Sequence, residues 1–201
     1  MLEAADLKCE RGGRTLFSSL SFSLQGGEAL RIAGANGSGK TSLLRILCGL
    51  LPPTAGEVRW NETRIQSLKE EYAKHLLYLG HAPGVKDELT AAENLRVSCS
   101  LAGLEVAEND VRAALARYGL AGVEHPVRRL SQGQRRRAAL ARLILSESAP
   151  IWLLDEPFTA LDGAAAELTR SLLREHGGRG GTVVYATHQE AGLQDTHVIE
   201  L

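Results

Sequence analysis

The chain is short and nearly neutral. It has 201 residues, with 23 Lys and Arg against 24 Asp and Glu, and a formal net charge of −1. This length suits one domain with a full core, or one domain with a small insert, and the charge argues against a nucleic-acid or anionic-lipid surface. Cys9, Cys48 and Cys99 are odd in number and widely spaced, which argues against a disulfide framework or a cysteine-based metal site. No apolar run approaches the roughly 18 residues that a membrane span needs, so work at a membrane would require another chain to hold this one there.

The first 33 residues predict short β-strands. Leu20, Phe22 and Leu24 alternate with Ser21, Ser23 and Gln25, which is the pattern of a half-buried strand. Gly26-Gly27 then turns the chain into an apolar strand over residues 29–33.

A glycine-rich loop follows this strand and precedes a helix-like run over residues 42–47. It has the G-x-x-x-x-G-K-[ST] pattern of a phosphate-binding loop, in the strand-to-helix setting that the motif requires. Its glycines allow backbone N–H groups to turn onto phosphate oxygens, and the helix adds the positive end of its dipole. The lysine would reach the β- and γ-phosphates, and the threonine hydroxyl would ligate Mg²⁺. The predicted nucleotide-binding residues here are Gly34, Ala35, Asn36, Gly37, Ser38, Gly39, Lys40, Thr41 and Ser42.

The middle of the chain changes from strands to helices. Strands are predicted from Gly56 to Trp60 and over residues 75–80. Thr90-Ala91-Ala92-Glu93 has the form of a capping box, and Leu95, Val97, Leu101, Val111, Leu115 and Tyr118 recur at helical spacing. Residues 82–130 are therefore expected to form a helical insert, followed by a basic helix that Ser131 caps.

A second chemical motif closes an apolar strand. Residues 151–154 are apolar and are followed by Asp155 and Glu156. A strand buried on both faces would place Asp155 beside the phosphate loop to hold Mg²⁺ through water, with Glu156 facing the attacking water as general base. Beyond it the sequence predicts a helix through Leu168 and Leu172, a flexible turn over residues 177–181, a strand over 182–186 and a short strand at 198–199.

The segment Leu130-Ser131-Gln132-Gly133-Gln134 separates this chain from other nucleotidases. It resembles the signature L-S-G-G-Q of the ATP-binding subunits of ATP-binding-cassette (ABC) transporters, with Gln132 at a position where the family prefers glycine. The resemblance covers essentially the whole chain. It implies an α/β P-loop NTPase of the ABC type, with a RecA-like core over 1–81 and 131–201, an antiparallel β subdomain and the helical insert. It also implies ATP and Mg²⁺ as ligands, and a homodimer in which Ser131, Gly133 and Gln134 meet the nucleotide of the opposite subunit.

Four further residues stand at functional positions of the family, and two of them match the family pattern. Asp162 lies in a loop that resembles the one crossing the dimer seam, and His188, after a strand, resembles the histidine that contacts the γ-phosphate. Two positions depart from the family pattern. Arg11 stands where an aromatic residue usually stacks on adenine; it either stacks in its place or is a solvated charge. His81 stands where the family has a glutamine, and we hypothesise that it takes over that role.

Four segments, Cys9–Phe17, Gly80–Lys86, Asp155–Asp162 and Thr187–Gln189, closely resemble one branch of the family, the ATPase subunits of bacterial haem handling in cytochrome c maturation. That branch implies a peripheral subunit on the cytoplasmic face of the inner membrane, paired with an integral-membrane permease. ATP hydrolysis would power haem export or release of a haem-loaded chaperone, and haem is not expected to bind this chain. The alternatives are the ATPase subunit of another small exporter, a cassette ATPase outside transport, and a nucleotide-binding module without turnover.

Overall fold

Strands and helices alternate through the chain after two long opening strands. The computed structural model describes residues 1–187 and 196–201. Its strands are β1 Leu2–Arg11, β2 Arg14–Leu24, β3 Ala29–Ala33, β4 Ala55–Trp60, β5 Thr63–Arg64, β6 Leu76–Leu79, β7 Ile151–Asp155, β8 Thr182–Ala186 and β9 Thr196–Glu200. Its α-helices are α1 Lys40–Leu47, α2 Ile65–Leu68, α3 Glu70–Lys74, α4 Ala91–Leu101, α5 Glu108–Arg117, α6 Gln132–Leu140, α7 Arg142–Leu145 and α8 Gly163–Gly178. A short 3₁₀ helix covers Val127–Arg129.

The strands form two sheets of different kinds. One is antiparallel, with strand order β2-β1-β4-β5, and the other is parallel, with order β6-β7-β8-β3-β9. Parallel strands need crossover connections, and the helices that make them cover the faces of the sheet. The carboxyl ends of β3, β6 and β7 lie at one edge, where ligands of such sheets bind.

The core lies on both faces of the parallel sheet, and β7 contributes to each. Trp152 and Leu154 pack into the cluster formed with helices α4 to α8, whereas Ile151 and Leu153 pack into the cluster shared with α1 and the antiparallel sheet. All five residues of β7 are buried, as its uninterrupted apolar sequence predicts for a strand covered on both sides.

Both predicted helix starts have complete capping boxes. The Thr90 hydroxyl accepts from the backbone N–H of Glu93, and Glu93 in turn accepts from the backbone N–H of Thr90. Ser131 and Gln134 make the same reciprocal pair at the start of α6. These caps satisfy N–H groups that a helix start would otherwise leave without partners.

The structure corrects three predictions about individual elements. Val97 and Leu101 are 45% and 85% exposed. The buried face of α4 instead uses Leu95 and Cys99, because residues four apart share a helix face and residues two apart do not. Gly177 and Gly178 complete α8 rather than forming a turn, and β1 and β2 are long strands of 10 and 11 residues. Among the described helices, none combines the length and apolar character needed to cross a bilayer.

Candidate nucleotide-binding site

The phosphate loop connects β3 to α1, as its sequence predicts. Gly34 begins the loop with a φ of 134°, and a Cβ atom there would lie 2.4 Å from the carbonyl oxygen of Leu201. Both the conformation and the close approach therefore require glycine at this position. The loop ends at Gly39, where α1 starts with its N–H groups directed toward the loop.

Lys40 is 8% exposed and lies against its own loop. Its Nζ donates to the carbonyl oxygens of Gly34 at 2.8 Å and Ala35 at 2.9 Å. These bonds hold the ammonium group over the loop, where it can exchange carbonyl oxygens for the oxygens of a phosphate group.

Thr41 and Asp155 meet although 114 residues separate them in the chain. The Thr41 hydroxyl donates to Oδ2 of Asp155 at 2.7 Å, and Asp155 is 2% exposed at the carboxyl end of β7. A hydroxyl and a carboxylate oxygen side by side are ligands that suit Mg²⁺, which commonly takes one or two protein oxygens together with phosphate oxygens and water. The predicted metal ligands are thus adjacent, and their chemistry fits the ion.

Glu156 follows directly and has an unusual backbone. Its φ is 50°, which costs a non-glycine residue about 1–3 kcal/mol. Its backbone N–H donates to the carbonyl of Ala186 at 2.8 Å, extending the pairing of β7 with β8. This turn directs the chain from the buried strand to the rim of the site.

A cleft of about 480 Å³ brings these groups together. It is lined by Leu16, Asn36, Gly37, Gly39, Lys40, Thr41, Ser42, His81, Asp155, Glu156 and Thr159. His81, predicted from its alignment with the family's glutamine, shares one cavity with the phosphate loop and both carboxylates. Leu16 and Thr159 were not predicted as cleft residues: Leu16 belongs to no motif with a chemical role, and Thr159 begins the loop that was assigned to the dimer seam through Asp162.

Arg11 is not among the described residues that line the cleft. It is exposed at the end of β1 and pairs with Arg14 across the β1–β2 hairpin. Leu16, further along the same hairpin, is the residue that reaches the cleft. An apolar side chain at this place offers a surface for a base, although it lacks an aromatic face.

The predicted signature residues lie outside this cleft. Ser131 and Gln134 bond to each other in the capping box. At Gly133 a Cβ atom would lie 2.7 Å from the carbonyl oxygen of Ala160, so the start of α6 and the loop after β7 touch through backbone. Asp162 caps α8 by accepting from the N–H of Ala165 at 2.8 Å. The remaining predicted residue, His188, lies outside the described residues.

A buried arginine, Arg136, has no place in the motifs that the sequence offers. It is 4% exposed and donates from α6 to backbone carbonyls of Gly80, Asp155 and Glu156 at 2.7–2.9 Å. In sequence it is one of three consecutive arginines, and its neighbour Arg135 instead pairs with Asp87 near the surface. Only a comparison of helix faces along that basic run could have singled it out.

Comparison with known proteins gives the family. The profile described as "ABC transporter" matches residues 17–159. The chain is 54% identical to "Cytochrome c biogenesis ATP-binding export protein CcmA" of Nitrosomonas europaea, over 100% of this chain and 94% of the relative. It is also 54% identical to the protein of the same name from Aromatoleum aromaticum, over 95% of this chain and 90% of the relative.

Solved structures agree in fold. A putative ABC transporter ATP-binding protein from Pyrococcus furiosus superposes with a TM-score of 0.83 at 26% identity, covering 100% of this chain and 96% of that one. An ATP-binding cassette solved as a dimer in a post-hydrolysis state with ADP and Pi gives 0.81 at 26% identity, covering 94% and 88%. With its phosphate loop, paired carboxylates and full-length relatives, the chain belongs to the ABC transporter family, in which it is an ATP-binding and ATP-hydrolysing subunit.

Proposed function

We propose that this chain is the ATPase subunit of a membrane complex for c-type cytochrome maturation in bacteria, where ATP hydrolysis powers haem export or release of a haem-loaded chaperone. The observation that carries the proposal is the 54% identity over the full chain to a protein named for cytochrome c biogenesis. The adjacency of Thr41 and Asp155 beside the phosphate loop supports hydrolysis as the energy source.

Each group in the cleft has a chemical role in this proposal. Lys40 and the loop N–H groups bind the β- and γ-phosphates, and Thr41 and Asp155 hold Mg²⁺. Held by Thr41 and Asp155, the ion would supply neutralisation of the charge that develops on the phosphate oxygens. Glu156 orients the attacking water and accepts its proton, while His81 contributes a second polar contact beside that water. His188 is proposed to contact the γ-phosphate.

The second half of each site would come from another copy of the chain. Ser131, Gly133 and Gln134 lie at the start of α6, an anion-binding helix end outside the cleft of their own protomer. A dimeric cassette is among the solved structures of similar fold. We infer a two-fold homodimer in which these residues and Asp162 face the partner's nucleotide, while Arg11 lies beside the adenine.

The remaining partners are proposed from the resemblance to the ATPase subunits of cytochrome c maturation. We propose peripheral attachment to the cytoplasmic face of the inner membrane through a CcmB-like permease, with a CcmC-like subunit in the same complex. The core would comprise 1–81 and 131–201, and residues 82–130, which contain α4 and α5, would form a helical subdomain. The near-neutral charge gives no support for nucleic-acid binding, and we do not expect this chain to bind haem.

Complementation tests the cellular role. The chain would be expressed in a bacterium that lacks its own CcmA but keeps the other maturation genes, and c-type cytochromes would be measured by haem staining. We expect cytochromes to return with the wild-type chain and to stay absent with Lys40→Ala. Copurification of permease subunits with the tagged chain should accompany recovery. If the purified chain hydrolyses ATP but c-type cytochromes do not return, the chain belongs to another exporter or has a function outside transport.

Replacement of Glu156 by Gln tests the proposed base. The amide cannot accept the proton of the attacking water, so phosphate release should fall by about 10²–10⁴-fold while ATP still binds. ATP should then accumulate at the interface and trap the dimer, which size-exclusion chromatography detects. Glu124→Gln, at an exposed position, provides the matched control. Normal turnover by Glu156→Gln would reject Glu156 as the base.

A further inference from the structure

Arg136 connects three separate parts of the molecule with one guanidinium group. Nη2 donates to the carbonyl oxygens of Asp155 at 2.7 Å and Glu156 at 2.9 Å. Nη1 donates to the carbonyl of Gly80 at 2.9 Å and lies 3.4 Å from that of His81. The side chain thus joins α6 to the carboxyl ends of both β6 and β7.

The surroundings explain why an arginine is needed. β6 and β7 are parallel neighbours with Leu79 opposite Leu154, so their ends present two pairs of carbonyls side by side. A planar group with donors in a fixed fork can bridge both pairs, whereas an ammonium group is a single point. The bridge also holds the carbonyl of Glu156, whose positive φ is unfavourable without such support.

Burial changes the pKa of the Arg136 guanidinium group. Desolvation lowers the pKa of Arg136, opposed by the charges of Asp155 and Glu156. Its Nε has no hydrogen-bond partner within the described part of the chain. A buried cation that bonds only to backbone carbonyls is costly to desolvate. A role in positioning the backbone segments that it joins accounts for its burial.

We propose that Arg136 is a positioning residue for ATP hydrolysis, which fixes Glu156 and His81 over the cleft and ties them to the helix that begins at Ser131. Ser131 caps the helix that carries Arg136, so a displacement of that helix moves the carbonyls on which Glu156 and His81 depend. Contact between the start of α6 and a partner's nucleotide is thereby transmitted to the chain's own catalytic groups. This coupling rests on the proposed dimer, whereas the positioning role requires only ATP hydrolysis by this chain.

The test compares Arg136→Gln and Arg136→Lys with wild type in steady-state phosphate release. Arg136→Gln removes the bridge, and we expect kcat to fall by about 10- to 100-fold, as a misplacement of about 1 Å can cause. Nucleotide affinity, measured by equilibrium titration, should stay within about threefold because the phosphate loop is intact. Arg136→Lys restores charge without the fork, so kcat should recover only in part.

Arg117→Gln is the control, since Arg117 is an exposed arginine at the end of α5 and is not among the residues that line the cleft. Its kcat should remain within about twofold of wild type.

An unchanged kcat in Arg136→Gln or Arg136→Lys would overturn the proposal. So would a loss of affinity that accounts for the whole change in rate, which is the result expected of a purely structural residue. If Arg136→Gln fails to fold, Arg136→Lys alone decides between these outcomes. A wild-type chain without hydrolysis would instead count against its assignment as an ATPase.

Discussion

Gly133 and Ala160 are in backbone contact at a place where two functional segments meet. A Cβ atom at Gly133 would lie 2.7 Å from the carbonyl oxygen of Ala160, which is closer than real Cβ contacts allow, and a backbone oxygen cannot rotate away. Ala160 itself has a φ of 62°, so the loop already adopts an unfavourable conformation to make this approach. The glycine of the signature segment is therefore required within its own protomer, independently of any partner.

Substitution of this glycine should separate the two segments. We expect Gly133→Ala to lower the free energy of unfolding by about 1–3 kcal/mol, because the added methyl group forces the start of α6 from the loop. Gln132→Ala, at an exposed neighbouring position, should change it by less than about 0.5 kcal/mol. Urea unfolding measures both, and equal stability of the two variants would contradict the contact.

At the scale of elements, what could be predicted depended on local sequence. The phosphate loop was predicted because its glycines, lysine and flanking strand and helix are consecutive. The caps at Thr90 and Ser131 involve residues only three apart. The apolar run of β7 identified a buried strand without knowledge of its neighbours.

Contacts between distant segments that no motif marks were not predicted, in contrast to the motif-based pairing of Thr41 with Asp155. Arg136 bonds to residues 19 to 56 positions away, and no motif in the basic run of α6 marks it; only a comparison of helix faces could have distinguished it from its neighbours. Leu16 reaches the cleft through the course of the β1–β2 hairpin, and no local pattern marks it for that place. The exposure of Leu101 likewise depends on which side of α4 packs against the neighbouring helices α5, α6 and α7.

The packing of α8 on β7 buries a histidine. His176 is 2% exposed and stacks on Trp152 with ring centroids 3.9 Å apart and planes 6° apart. Burial lowers the pKa of His176 to about 4, although a hydrogen bond with the backbone of Pro150 acts in the opposite direction. The neutral ring is thus part of the folded core.

This histidine should make stability depend on pH. Its pKa is about 4 in the folded chain and 6.5 as the reference for the unfolded chain, so the unfolded state binds more protons between these values. The stabilisation is fully present above pH 6.5 and is lost as the pH falls toward 4. At pH 5 the loss should be about 2 kcal/mol, from 1.36 kcal/mol per pKa unit.

The measurement is urea unfolding at pH 7.5 and pH 5 for wild type and His176→Phe. Phenylalanine preserves an aromatic ring beside Trp152 and removes the titration. The loss of stability between the two pH values should be about 2 kcal/mol smaller in the variant, because every other titrating group is common to both chains. Equal losses would show that His176 does not titrate as its burial implies.

At the scale of the whole molecule, the cleft of one protomer lacks some of the residues that the proposed function assigns to the ATP site. It contains the phosphate loop, both carboxylates and His81, whereas Ser131 and Gly133 belong to a helix start outside its lining. A two-fold arrangement can supply each site with what it lacks, because the same pair of surfaces then meets twice. In the proposed dimer, one protomer would contribute Lys40 and the other Ser131 to each complete site.

Mixing two inactive variants tests this arrangement. Lys40→Ala removes the phosphate-binding charge, and Ser131→Glu places a negative charge opposite the partner's γ-phosphate while remaining compatible with a helix N-terminus. Each variant alone should hydrolyse little ATP. In an equal mixture about half of the dimers contain both variants, and each of these has one intact site out of two. Activity should therefore return to about one quarter of wild type if the sites act independently.

The control is a chain that carries both substitutions, mixed with Lys40→Ala. None of the dimers in that mixture contains an intact site, so it should stay inactive. If the first mixture stays as inactive as this control, while both parents remain folded and exchange subunits, the ATP site is not shared between two copies of the chain.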